Sequence, residues 1–214
     1  MVHVLPHWNW EGKEGEIIPV VSYTNAEEVE LFVNGKSLGR KRKGIDKMPI
    51  PINFIDWEGG RYKGTHMSPF RLMWEVPYQP GSLKVVAYNN GVAVAEKRIN
   101  TAGKPAKIEL IPDRSTLHAD GQDISFITVR ITDVDGNLCP EADHLVEFSV
   151  SDLGTIAAVG NGDPATTAPF QSKKRKAFNG LCMLMVKSTK KSGSISVVAS
   201  SDGLQSTSIS LKTN

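Results

Sequence analysis

Residues 28–44 read EVELFVNGKSLGRKRKG. Val29, Leu31 and Val33 alternate with Glu30 and Phe32, which is the period of a strand whose two faces see different surroundings. Asn34-Gly35 stands where that strand must reverse. These residue types accept the positive φ angles of a type I′ turn, so the stretch is predicted to be a β-hairpin. The device recurs over residues 82–99, SLKVVAYNNGVAVAEKRI, where Asn90-Gly91 lies between two apolar strands. Further strands are expected in EGEIIPVVSYT (14–24) and RLMWEV (71–76), with a Gly- and Pro-rich loop over residues 45–70. Nowhere does an i, i+3, i+4, i+7 apolar pattern persist, so helix is not expected.

Gly103, Lys104 and Pro105 form a short polar connector, and a second strand series follows it. It comprises AKIELI, ISFITVRITD, HLVEFSV, GTIAAVG, GLCMLMVKST, SISVVASS and STSISLK, punctuated by Asp135-Gly136, Asn179-Gly180 and Asp202-Gly203. About seven short strands at this spacing point to a sandwich of the immunoglobulin type, and the first half has a similar count. The expected architecture is all-β: two tandem immunoglobulin-like β-sandwich domains, residues 1–103 and 104–214.

The 214 residues are 40% hydrophobic, which suffices for one large core or two ordinary ones. A net charge of +2 argues against a partner recognised by bulk charge, so neither nucleic acid nor membrane insertion is expected. MVHVLPHW lacks the basic and long apolar regions of a signal peptide. Cys139 and Cys182 lie in no CxxC or Cys/His cluster; they read as buried thiols, with a disulfide as the alternative. No zinc site is expected, and no cofactor. The chain has no GxSxG elbow and no phosphate loop. Glu27/Glu28 and Asp56/Glu58 read as solvated charge, and no catalytic residue is assigned. DVDGN (133–137) resembles the start of a calcium loop, yet Ala142 stands where the closing Glu belongs. With HADGQD (118–123), it reads as Asp-Gly turn chemistry and not as metal. GRKRKG (39–44) and KKRK (173–176) read as solvated basic runs, the second in a loop after Phe170.

Four aromatic residues remain as candidates for carbohydrate stacking or an interface: Trp8, Trp10, Trp57 and Tyr62. Trp74 alternates with apolar neighbours and reads as core. LPHWNW (5–10) is expected to be extended, with Trp8 and Trp10 on one side and His7 and Asn9 on the other, as a strap across a domain surface.

Taken together, LPHWNWEGKEGEIIPVVSYTNAEEVELFVNGKSLGRKRKG and RLMWEVPYQPGSLKVVAYNNGVAV resemble the β-sandwich that follows the catalytic barrel in bacterial family 2 glycoside hydrolases of the β-galactosidase type. PAKIELIPDRSTLHADGQDISFITVRITDVDGN and GNGDPATTAPFQSKKRKAFNG are similar to the immunoglobulin-like domain that comes next. The resemblance implies an accessory region whose catalytic glutamates lie in the barrel, upstream of these residues. It implies the barrel as intramolecular partner, galactoside-containing glycans as possible ligands, and a periplasmic or secreted parent. A carbohydrate-binding module pair and a cell-surface adhesin are the alternatives.

Overall fold

A computed structural model describes residues 1–49 and 65–214. Among them the chain is all strand and divides into two compact units, Met1–Thr101 and Ala102–Asn214.

The first unit contains β1 (Val2–Leu5), β2 (Ile17–Thr24), β3 (Glu28–Val33), β4 (Lys36–Arg42), β5 (Met48–Pro49), β6 (Thr65–His66), β7 (Arg71–Pro77), β8 (Ser82–Asn89) and β9 (Val92–Asn100). One sheet runs β1-β2-β7, the other β4-β3-β8-β9, and β5 pairs with β6. The short β5 and β6 fall in the stretch expected to be loop. Register follows side-chain alternation. Val29, Leu31 and Val33 lie opposite Ala87, Val85 and Leu83, and all six are buried. From the other sheet Ile18 and Val20 pair with Val76 and Trp74 to close the core. A one-residue slip would turn every one of these side chains to water.

The β3–β4 turn has Asn34 at φ 50 and Gly35 at φ 82. Asn34 does more than accept that conformation. Its Oδ1 accepts from Ser82 N at 2.8 Å and its Nδ2 donates to Pro80 O at 3.1 Å, stapling the hairpin to the start of β8.

The second unit contains β10 (Lys107–Pro112), β11 (Thr116–Leu117), β12 (Ile124–Thr132), β13 (Leu145–Val150), β14 (Gly154–Gly160), β15 (Lys174–Lys176), β16 (Leu181–Ser188), β17 (Gly193–Ser200) and β18 (Thr207–Thr213). Its sheets run β10-β12-β16-β14 and β11-β18-β17-β13-β15. Ile127, Val129, Leu184, Val186, Ile195 and Val197 fill the space between them. Cys139 and Cys182 are both buried and free; burial pushes the Cys182 thiol up to about 12.

Two expectations are corrected. KKRK is not a loop: its last three residues form β15, an edge strand, and Arg175 is buried. Ala102 and Gly103 are held by the second unit. Ala102 joins its core, and Gly103 N donates to Asp133 Oδ2 at 2.9 Å. Finally, LPHWNW is not an extended strap. The chain turns after β1, so that Trp8 is sealed in the core while Trp10 lies half-buried against it.

Candidate functional site

The turn is built by its own side chains. Trp10 Nε1 donates to His7 O at 3.0 Å, and the two rings stack with centroids 4.6 Å apart. Asn9 N donates to His7 Nδ1 at 3.3 Å. Trp8 O accepts from Thr101 Oγ1 at 2.5 Å, and the same hydroxyl oxygen accepts from Gly81 N at 3.0 Å. Thr101 thereby ties this turn to the end of the unit. The following residues lie along Tyr78, with Gly15 N on Tyr78 O and Tyr78 N on Glu16 O.

Of the candidate aromatics, Trp8 is 0% exposed. Its Nε1 donates to Gln79 O at 2.9 Å and its ring meets Tyr78 edge-on at 5.1 Å. A ring with no exposed face cannot stack on a sugar, so Trp8 belongs to the core of its own sandwich and not to an external site. Trp10 is half-buried against the same core. Trp57 and Tyr62 lie outside the described residues.

A carboxylate cluster sits on the outer face of β3, β4 and β8. Arg40 bridges Glu28 at 3.5 Å and Glu30 at 3.4 Å, and its guanidinium lies 3.6 Å over the Tyr88 ring. Ser37 Oγ donates to Glu30 Oε1 at 2.7 Å and Tyr88 OH to Oε2 at 3.2 Å. The Ser37 bond, with Arg40 and Tyr88 behind it, holds the Glu30 carboxyl below its ordinary value. Burial and the facing Glu30 push the Tyr88 phenol up. A general acid needs a raised pKa; Glu30 is shifted the other way, so this pair has the character of a surface network and not of a proton donor beside a nucleophile.

The Asp-Gly loops are held by acids that spend their lone pairs on backbone. Asp133 accepts from Asp135 N, Asn137 N, Asn137 Nδ2 and Gly103 N, all at 2.8–3.0 Å. Burial opposes its charge, but these donors outweigh it and the carboxyl lies below its ordinary value. Asp123 is lowered chiefly by His118 N, with Arg114 adding to it. Folded carboxyls with lowered pKa values contribute stability that is present above the unfolded value and is lost as pH falls through the folded one. The melting temperature should therefore be level from pH 7 to about 5 and decline below about 4. Melting scans across pH check this; a level profile down to pH 3 would contradict it.

Sequence reasoning missed Arg175. Its guanidinium donates to the carbonyls of Val159 at 3.0 Å, Ala168 at 3.3 Å and Pro169 at 2.7 Å, and lies over the Phe170 ring. Among the described residues its Nε has no hydrogen-bond partner. Asn161 Nδ2 adds a bond to Lys176 O at 2.8 Å. One buried cation and one amide thus fix the course of residues 161–173. The only signal in the sequence was the alternation Lys174-Arg175-Lys176, which a solvated run mimics.

Residues 108–210 match glycoside hydrolase family 2 C-terminal domain 5, and residues 15–95 match a domain of unknown function, DUF4982. Beta-galactosidase BoGH2A of Bacteroides ovatus is 44% identical over 96% of this chain and 21% of its own length. The crystal structure of a glycosyl hydrolase family 2 member from Bacteroides cellulosilyticus superposes with a TM-score of 0.76 at 38% identity, covering 98% of this chain and 24% of that one. A beta-glycosidase from Bacteroides vulgatus superposes with a TM-score of 0.82 at 30% identity, over 99% of this chain and 24% of that one. The chain thus spans about a fifth to a quarter of the proteins it matches. With both sandwiches matched in order, the chain belongs to the C-terminal region of glycoside hydrolase family 2.

Proposed function

We propose that this chain is a non-catalytic accessory region of a β-galactosidase-type glycoside hydrolase, and that it braces the catalytic barrel of the same polypeptide. The observation that carries this reading is the 44% identity to a β-galactosidase across nearly the whole chain. The chemistry of the described residues supports it. Their Glu28–Glu30 pair is tied to Arg40, Ser37 and Tyr88, and glycoside hydrolysis needs instead one carboxylic acid poised to donate and a second carboxylate free to attack or to activate water.

Assaying the purified chain with chromogenic β-galactosides and β-glucuronides tests the reading. No turnover is expected. Turnover that disappears when one of its carboxylates is replaced by the amide would sink the accessory role. A second reading, glycan binding, rests on Trp10, whose ring is oriented by His7 and half-buried. Loss of measurable galactoside binding in Trp10→Ala would favour it over bracing.

A further inference from the structure

The two outward faces of the second unit differ in chemistry. On the β11-β18-β17-β13-β15 sheet the outward positions carry Ser194, Ser196, Ser208, Ser210 and Glu147, with exposed Val198 paired to Ser149 and Ser208 and exposed Leu145 paired to Lys176, so its apolar residues stand singly among polar ones. The β10-β12-β16-β14 sheet is unlike it. There Ile111, Phe126 and Leu181 are exposed, and Met183 and Met185 are half-buried between them. Strand pairing makes these neighbours. Phe126 faces Met185, and Thr128 stands between Ile111 and Met183. Met183 in turn faces Gly160, beside which lies the ring of Phe170, 61% exposed on the loop that Arg175 holds. Charge enters at the two ends of this face: Glu109 and Arg130 share the row of Leu181 and neutralise each other at 2.6 Å, and Lys187 follows Met185 along β16.

The size of this patch selects its occupant. Four strands and three rows of side chains make a face of roughly 19 by 20 Å, about 400 Å². A stable complex of free partners buries about 800 Å² on each side, so this face is too small to hold a second copy or a free protein. Contacts between domains of one chain begin at about 600 Å² in total, and two faces of this size supply that. A tether provides the effective concentration that the area lacks. Methionines suit such a seat, because their unbranched chains adapt to an irregular partner.

We propose that the outer face of β10-β12-β16-β14, completed by Phe170, is the seat against which the catalytic domain of the same polypeptide packs. This rests on the accessory reading above and names the surface that performs it. Methionine oxidation by dilute peroxide reads the face directly. Met183 and Met185 should oxidise readily in the 214-residue chain and at least about fivefold more slowly in the native polypeptide that carries it. Equal rates in the two would overturn the proposal. Slow oxidation in the chain itself, together with concentration-dependent sedimentation as a dimer, would assign the face to a second copy and overturn it as well. The glycosidase activity of the native polypeptide is measured separately. Protected methionines in an inactive polypeptide would refute the glycosidase reading but leave the face covered, whereas active enzyme with unprotected methionines would refute the face alone.

Discussion

Replacing Trp8 by Ala is expected to destabilise the first unit by about 3–5 kcal/mol, the range for deleting a fully buried aromatic ring. The ring is sealed from water, packs edge-on against Tyr78, and its Nε1 is bonded to Gln79 O. Alanine would leave a cavity and strip that carbonyl of its donor. Trp10→Ala provides the contrast. That ring is half-buried and its bond to His7 O is local to the turn, so its loss should cost well under half as much. Thermal and denaturant unfolding of the two variants decide the matter. Equal effects would mean that both rings serve the same purpose, which the structure denies.

Gly180→Val is expected to destabilise the second unit by about 3–5 kcal/mol, combining backbone strain with overpacking. Gly180 has φ +76, and a Cβ there would press on the carbonyl oxygen of Cys139. Backbone on both sides is committed: Gly180 N donates to Ala142 O, and Ile131 N donates to Gly180 O. Neither neighbour can step aside without breaking the β12–β16 region of the sheet. Gly35→Val isolates the strain. Its φ is +82, but a Cβ there meets nothing within 4 Å among the described residues, so about 1–3 kcal/mol is expected. If the two valines cost the same, crowding at Cys139 is not a factor.

What could be read from the sequence was whatever local periodicity encodes. Val29-Leu31-Val33 and Ile127-Val129-Ile131 declare their buried faces through alternation, and Asn34-Gly35 and Asn179-Gly180 declare their turns through the φ angles they accept. What was illegible depended on partners distant in the chain. Nothing near Trp8 foretells that Gln79, seventy-one residues away, will receive its indole N–H. The ring therefore passed for a surface candidate. Arg175 was hidden for a related reason: flanked by lysines, it looks like solvated charge, and only the folded loop reveals the carbonyls that hold it. Asn34 shows both sides, since its turn was plain while its bonds to Pro80 and Ser82 were not.

The way Arg175 holds its loop bears on how this region can change over time. A guanidinium spreads its N–H donors in one rigid plane, so a single side chain can meet several acceptors at once. More telling, all three of its acceptors are main-chain carbonyls, of Val159, Ala168 and Pro169. The clamp reads the path of the backbone and is indifferent to most of the side chains along it. Display is therefore largely decoupled from anchorage: Thr167 and Gln171 are free to diversify without loosening the frame, while Arg175 and the Phe170 ring beneath it are not. The loop is in effect a graft site supplied with its own fastening, where new surface chemistry could be tried at little risk to the fold.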